Sequence, residues 1–169
     1  HDDTLARVQG RDGTVEAMTA GELAAAGVPS LAAVLDAVPA AAFVDVELKV
    51  VPGAETATVL VGARGPRPER AVVSSFEPDA LAAMAGLAPG WPRWANVVWL
   101  DEAVVAQAVE LGCRGVSAAW SAITPATARL VRDAGLDLAA WTVTRRPTFE
   151  RLALLGVVAA CVEGMLLDR

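Results

Sequence analysis

The chain has 169 residues, of which 54% are hydrophobic and 20% are charged. This composition excludes a disordered chain, and no apolar run reaches the roughly 18 residues that a membrane-spanning helix needs. The formal net charge of −6 argues against a surface that binds nucleic acid or anionic membranes.

Six short apolar runs, of the kind that form buried strands, follow one another along the chain. They span residues 43–48, 71–76, 96–100, 115–118, 136–143 and 157–162. Each run begins about 20 to 28 residues after the one before it, which is room for one strand and one helix. The spacing therefore predicts strands that alternate with helices.

Helix start and stop signals fill the segments between these strands. Asp101 and Glu102 place negative charge where a helix is expected to begin. Thr124 followed by Pro125 is typical of an N-cap and a first helical residue, and Gly135 of a helix end. Apolar strands alternating with helices indicate a parallel α/β protein whose sheet is buried on both faces.

Two parallel architectures compete for this pattern. A doubly wound sheet usually carries a glycine-rich phosphate loop after an early strand, and this sequence has none. A (β/α)8 barrel places its chemistry at the carboxyl ends of its strands. Polar or aromatic residues fall at those ends here: Glu47, Lys49, Ser75, Phe76, Trp99, Ser117, Trp141, Thr142 and Glu163. The pattern favours the barrel, although only six of its eight strands can be counted.

Glu47 and Lys49, the sole lysine, are the strongest candidates for a functional site. They are two residues apart on one strand, so their side chains point to the same side, which in a barrel is the interior. Charged groups placed there need a partner. One interpretation is a structural ion pair; the sharper one is a divalent metal on Glu47 and an anionic substrate on Lys49.

Several other side chains leave two interpretations open. Trp141 is either part of the core or a stacking wall for a ligand. His1, the sole histidine, is either an arbitrary start of the chain or a general acid or base in a site completed by distant residues. Trp91 and Trp94, in a loop bounded by proline and glycine, are predicted to pack that loop against the body of the protein rather than to bind substrate, which is the alternative.

The two cysteines are predicted to be buried thiols. Cys113 and Cys161 both follow apolar or small residues, and no paired Cys or His spacing points to a metal site. A disulfide scaffold would need more cysteines in a shorter chain.

Five groups of residues, in order along the chain, resemble the motifs of the glycerophosphodiester phosphodiesterase family. They are His1-Asp2-Asp3-Thr4-Leu5-Ala6-Arg7, Val28-Pro29-Ser30-Leu31, Glu47-Leu48-Lys49, Ser74-Ser75-Phe76 with Pro78, and Trp141-Thr142-Val143. Each motif is weak alone, but five in the family's order make a specific resemblance over nearly the whole chain.

The resemblance implies a (β/α)8 barrel with a small insertion after its second strand. Residues 1–169 would form a single domain, with residues 1–27 mainly insertion and residues 43–169 holding strands three to eight. The family's first strand carries a His-Arg-Gly motif and its second a Glu-x-Asp metal pair, and neither strand is found here. We therefore expect an incomplete barrel that is inactive by itself.

The resemblance also implies roles for four residues. His1 corresponds to the second of two catalytic histidines, and Glu47 to a carboxylate that binds the metal. Lys49 corresponds to a residue that contacts phosphate, and Trp141 to an aromatic side chain near the glycerol moiety.

Two positions depart from the family's pattern. Thr144 replaces the asparagine that usually follows Trp-Thr-Val, and Glu163 stands where an aspartate is common. The first alters a hydrogen-bonding group at the mouth of the barrel, and the second keeps the charge on a longer side chain.

The reaction implied is hydrolysis of a glycerophosphodiester to glycerol 3-phosphate and an alcohol, with Mg²⁺ or Ca²⁺ as cofactor. We expect a small-molecule substrate, a cytoplasmic location, no nucleic-acid partner and no transmembrane segment; the oligomeric state stays open. One alternative is a non-catalytic barrel that binds phosphodiesters or a protein partner. Another is a phospholipase D-like lipid hydrolase, which would show an apolar or aromatic rim beyond Trp91 and Trp94.

Overall fold

The chain divides into two compact units, His1–Ala42 and Phe43–Arg169. The computed structural model describes residues 2–164. The first unit contains helices α1 (Ala6–Gln9), α2 (Ala20–Ala25) and α3 (Leu31–Ala37). The second contains β1 (Val44–Glu47), α4 (Ala54–Arg64), β2 (Ala71–Ser75), α5 (Pro78–Leu87), β3 (Arg93–Val97), α6 (Glu102–Glu110), β4 (Gly115–Ala119), α7 (Pro125–Asp133), β5 (Asp137–Val143), α8 (Arg146–Leu154) and β6 (Ala159–Val162). The single-domain organisation expected from the sequence stays a prediction.

Short-range hydrogen bonds define the elements of the first unit. Helix α2 begins with a capping box, in which the Thr19 hydroxyl accepts from the Glu22 amide and the Glu22 carboxylate accepts from the Thr19 amide. The Ser30 hydroxyl caps α3. An antiparallel bridge joins Thr4 to Thr14.

The six strands form one parallel sheet, and their order in the sheet follows their order along the chain. Helices α4 to α8 connect successive strands, as parallel pairing requires. Within residues 2–164, β1 and β6 each pair with a strand on one side only.

The sheet is strongly curled. Strands β2 and β5 are three strand spacings apart, which would be about 14 Å in a flat sheet. Instead Val72 of β2, Trp94 of β3 and Ala139 of β5 pack in one apolar cluster. The rings of Phe76, just after β2, and Trp141, in β5, have centroids only 5.5 Å apart. The described strands are thus six of the eight in a (β/α)8 barrel, as predicted.

The convex face of the sheet packs against the helices and holds the larger core. Leu81 of α5, Val105 of α6, Val131 of α7 and Leu152 of α8 belong to the same buried cluster as Val143 of β5. Burial on this face explains why the outward positions of the strands are almost entirely apolar.

Strand β3 lies three residues earlier than the sequence analysis predicted. It runs from Arg93 to Val97, whereas the apolar run was assigned to residues 96–100. Trp94 is therefore a strand residue whose ring packs on the concave face. Val98 and Trp99 follow the strand and are exposed, so their hydrophobicity does not mark a buried strand.

The predictions that Trp91 and the two cysteines are packed in the interior have different outcomes. Trp91 is buried, and its Nε1 donates to the Gly65 carbonyl oxygen at 3.0 Å, which confirms a packing role. Cys113 is buried as predicted. Cys161 is exposed, so that prediction is wrong: it lies on β6, beside the edge of the sheet that has no neighbour among the described strands.

Gly115 tests the close packing of β4 against β5. A Cβ at this position would lie 2.6 Å from the Asp137 carbonyl oxygen and 2.9 Å from Cδ1 of Trp94. We expect Gly115→Ala to lower the free energy of unfolding by about 1–3 kcal/mol, because backbone must shift to admit the methyl group. Urea denaturation measures the change.

Gly62→Ala is the matched control. Gly62 lies within α4, and a Cβ there would meet nothing within 4 Å. The substitution should stabilise the protein by about 0.5–1 kcal/mol through helix propensity. Equal stability of Gly115→Ala and the wild type would contradict the packing described here.

Candidate active site

Polar side chains collect on the concave face toward the carboxyl ends of the first three strands. Side chains alternate along a strand, so Ser74 shares the face of Val72, and Asn96 that of Trp94. Glu47 is aligned with Ser74 in the parallel register and points to the same side. Three neighbouring strands thus present oxygen and nitrogen atoms to one space.

Asp45 is joined to this group by hydrogen bonds. Its carboxyl group is hydrogen-bonded to the Ser74 side chain, and the Ser74 hydroxyl accepts from Nδ2 of Asn96 at 3.2 Å. Desolvation raises the pKa of Asp45 and is the largest influence on it. The negative charge of Glu47 also raises it, while the bond to Ser74 opposes both effects. Asp45 as a whole residue is still exposed, so its carboxyl group is only partly withdrawn from water.

Glu47 and Lys49 form an ion pair at the mouth of the barrel. Nζ of Lys49 lies 2.9 Å from Oε1 of Glu47, and the side chains are 47% and 24% exposed, respectively. The ion pair considered in the sequence analysis is thus present. A pair this accessible to water contributes only about 0–1 kcal/mol to stability. Exchanging the carboxylate for an anionic ligand would therefore cost little.

Trp141 is held by two contacts in a partly exposed position. Its Nε1 donates to the Ser117 carbonyl oxygen at 2.9 Å. Its ring meets that of Phe76 edge to face, with an angle of 76° between the planes. These contacts fix the ring across the mouth of the barrel, where its exposed part can serve as a wall for a ligand.

Of three further residues, one lies outside the described part of the chain, and the other two are on β6 or directly follow it. His1 lies outside the described residues, so its predicted catalytic role has no place in the geometry. Glu163 follows β6 and is exposed. The pKa of Cys161 is raised, chiefly by desolvation and further by the charges of Asp45 and Glu47. Its thiol is therefore protonated at neutral pH and is a poor nucleophile.

The oxygen donors suit a hard divalent cation in type, although they are few. Asp45 and Glu47 offer carboxylate oxygens on one face of β1, which Mg²⁺ and Ca²⁺ prefer. Across residues 2–164, however, no group of three or more His, Cys, Asp and Glu side chains is placed to hold a metal. Glu77-Pro78-Asp79 has Glu-x-Asp spacing, but it begins helix α5 rather than ending a strand.

Comparison with protein families decides the relationship. The model of the glycerophosphoryl diester phosphodiesterase family matches residues 1–165, which include the whole of the described site. The chain belongs to this family. No curated protein matches the sequence.

Solved structures of similar fold come from several bacteria. An Oleispira antarctica phosphodiesterase in complex with the product sn-glycerol-3-phosphate has a TM-score of 0.79 and 22% identity, over 96% of this chain and 73% of its own. A glycerophosphodiester phosphodiesterase from Agrobacterium tumefaciens has a TM-score of 0.76 and 20% identity, over 96% and 75%. One from Thermotoga maritima has a TM-score of 0.70 and 18% identity, over 96% and 73%. The TM-scores show that these proteins share the fold of this chain, and identities of 18–22% show no more than that.

In this phosphodiesterase-family chain, the structure adds residues that the sequence analysis missed. Asp45 was passed over, although its position two residues before Glu47 already places both side chains on one face. Ser74 and Asn96 join it through hydrogen bonds between strands. The predicted strand, residues 96–100, puts Asn96 at its amino end, whereas Asn96 lies near the carboxyl end of β3, on the side of the site.

Asp45→Asn tests the electrostatic cost of the site. The raised pKa means that the folded state favours the protonated carboxyl, so its contribution to stability is fully present below the unfolded pKa of about 3.9 and is lost as the pH rises through the folded pKa. We expect Asp45→Asn to be more stable than the wild type at pH 7, and the difference to vanish near pH 3. Urea denaturation across this range measures it. A difference that does not vary with pH would contradict a cost of charge.

Proposed function

We propose that the protein hydrolyses glycerophosphodiesters to glycerol 3-phosphate and an alcohol. The observation that carries the proposal is the family match over residues 1–165, in a chain that places Glu47 beside Lys49 at the end of β1. The complex of the Oleispira antarctica phosphodiesterase with sn-glycerol-3-phosphate supports a small phosphodiester as the substrate class.

Lys49 is the proposed phosphate-binding residue. Its ammonium group is half-exposed at the mouth, and the Glu47 carboxylate that pairs with it is itself 24% exposed. Negative charge grows on the phosphoryl oxygens as the phosphorus is attacked, and a fixed positive group nearby stabilises that charge. Lys49 would then serve both binding and catalysis.

A divalent cation, Mg²⁺ or Ca²⁺, is the proposed cofactor, with Glu47 as one ligand and Asp45 beside it. When bound, such a cation supplies positive charge that neutralises the phosphate and polarises the phosphorus. A positive charge near Asp45 would also favour its ionised form, opposing the desolvation that raises its pKa.

The first step of the proposed reaction is intramolecular, and water reacts only in the second step. A free glycerol hydroxyl forms an oxygen–phosphorus bond while the bond from phosphorus to the alcohol oxygen breaks, and the hydroxyl proton ends on the departing alcohol. Water then opens the cyclic phosphodiester to give glycerol 3-phosphate. His1 is the proposed carrier of a proton in these steps, and Trp141 is proposed to pack against the glycerol moiety.

Residues 1–169 by themselves are proposed to be inactive, because the sequence holds neither a His-Arg-Gly triplet nor a strand-borne Glu-x-Asp pair. A non-catalytic phosphodiester-binding barrel and a lipid hydrolase are the alternative functions. Among the helices of residues 2–164, none is both long enough and apolar enough to cross a membrane. The cytoplasmic location stays a prediction.

Choline release from glycerophosphocholine tests the proposed function. The full gene product should release choline in the presence of Mg²⁺ or Ca²⁺, and a chelator should stop the release. Residues 1–169 should release none. Turnover by residues 1–169 would contradict their inactivity, and an inactive full gene product would overturn the proposed function.

Lys49→Met tests the role of the lysine in the full gene product. We expect kcat to fall by about 10²- to 10³-fold, as it does when one group that stabilises a developing oxyanion is removed. Arg132→Met is the control, because Arg132 is an exposed cation in the last turn of α7, away from the carboxyl ends of the strands. Unchanged kcat in Lys49→Met would exclude the role.

A further inference from the structure

A cavity lies at the end of the barrel opposite to the candidate site, and we call it the floor cavity. Its volume is about 480 Å³, and small-molecule sites typically occupy about 300–1,000 Å³. The residues that line it lie at the amino ends of the strands or in the segments directly before them. They include Phe43, Val72, Trp94, Arg114, Asp137 and Val158.

One layer of side chains separates the floor cavity from the candidate site. Val72 and Trp94 line the cavity and belong, together with Ala139, to the apolar cluster on the concave face. Ser74 and Asn96 of the candidate site follow Val72 and Trp94 by two residues, so they form the next layer on the same face. The floor cavity is therefore a separate space and not an extension of the candidate site.

Trp94 gives the floor cavity a hydrogen-bond donor that has no acceptor within residues 2–164. Trp94 is only 5% exposed, and its Nε1 is buried without a partner. By contrast, Nε1 of Trp91 and Nε1 of Trp141 donate to carbonyl oxygens at 3.0 and 2.9 Å, respectively. Buried donors are almost always hydrogen-bonded, because burial removes the water molecules that they would otherwise bind. The indole N–H of Trp94 therefore indicates an acceptor that a ligand supplies.

Gly115 places the N–H edge of the Trp94 ring beside the beginnings of β4 and β5. Cδ1 of Trp94, which is bonded to Nε1, lies 2.9 Å from the position that a Cβ of residue 115 would occupy. Arg114 precedes Gly115, and Asp137 is aligned with Gly115 on β5. Both Arg114 and Asp137 line the cavity. The donor thus lies on the side of the cavity where the wall becomes polar.

The charged groups of this wall favour an uncharged ligand. Nε of Arg114 lies 2.9 Å from Oδ2 of Asp137, so the guanidinium group is neutralised by a carboxylate. Glu69 adds a second carboxylate to the lining, which disfavours an anion. An organic cation would lie against the apolar wall of Phe43 and Val158, where it loses its hydration.

We propose that the floor cavity binds an uncharged aromatic molecule whose oxygen atom accepts a hydrogen bond from Nε1 of Trp94. The aromatic ring of the ligand packs against Phe43, which is 50% exposed and whose ring centroid lies 5.7 Å from that of Trp94. The inference does not depend on the proposed function, because none of the residues that line the cavity belongs to the candidate site.

The experiment compares two probes of the same shape, acetophenone and ethylbenzene, of which only acetophenone carries a carbonyl oxygen. The full gene product is labelled for NMR spectroscopy, and the indole N–H signal of Trp94 is identified by its absence in Trp94→Phe. Acetophenone should move this signal to higher frequency, and the shift should saturate with a Kd of about 1 mM or lower. A Trp94 signal that acetophenone leaves in place would overturn the inference.

Trp94→Phe tests the hydrogen bond, because it removes the donor and keeps an aromatic ring. Binding is followed through the NMR signals of the probes themselves. The ratio of the two Kd values, ethylbenzene over acetophenone, should fall by about fivefold in the variant. An equal ratio in the variant and the wild type would overturn the hydrogen bond.

Val158→Phe tests the location without replacing a buried residue. Val158 lines the floor cavity and is 61% exposed, so the larger ring takes up cavity space and should weaken acetophenone binding by at least about fivefold. Val98→Phe is the matched control, because Val98 is 55% exposed and follows β3 at the opposite end of the barrel. Its Kd should not change. Equal Kd values for the two variants would place the ligand elsewhere and overturn the inference.

Charge and competition complete the test. Benzoate and benzylammonium should each bind at least about threefold more weakly than acetophenone, because each brings a charge to a mainly apolar wall. Tighter binding of either ion would contradict an uncharged ligand. Glycerol 3-phosphate, the proposed product, should leave the acetophenone-induced shift of Trp94 unchanged. Displacement of acetophenone by glycerol 3-phosphate would place both molecules in one site and overturn the inference.

Discussion

The packing inside the concave face is the constraint on which the rest of the second unit depends. Val72, Trp94 and Ala139 come from three different strands, and their contact forces the sheet to curl. Only in a curled sheet can Phe76 and Trp141 touch, since β2 and β5 are otherwise too far apart. The β5 member of the cluster, Ala139, has a small side chain, and this leaves room for the large ring of Trp94. The mouth of the barrel and its candidate site follow from this arrangement.

The charged groups of the candidate site serve its chemistry and lower the free energy of unfolding. Asp45 keeps a carboxylate where desolvation disfavours it, and Glu47 adds a second negative charge on the same short strand. Lys49 compensates part of that charge through a weak, accessible ion pair. A purely structural strand would have no need of two carboxylates on its inward face and a lysine two residues beyond its end. Their presence is the physical reason to regard this end of β1 as functional.

Sequence patterns predict this fold well where hydrophobicity and burial coincide. The runs at β2 and β5 were assigned correctly because both faces of those strands are buried, and Thr124 and Asp101 cap helices as expected. At β3 the two properties separate, because Trp99 is apolar yet exposed. Glu47 and Lys49 could be named from spacing alone. The bond between Ser74 and Asn96 joins two strands, and no local pattern encodes it.

The anchoring of Leu48 sets the timescale on which Lys49 moves. The Leu48 amide donates to the Ser74 carbonyl oxygen at 2.7 Å, and the Leu48 carbonyl oxygen accepts from the Ser75 hydroxyl at 2.7 Å. Both backbone groups of Leu48, the residue before Lys49, are therefore held by hydrogen bonds. The ammonium group of Lys49 should therefore reorient by rotamer changes within picoseconds to nanoseconds rather than by slower excursions of a loop.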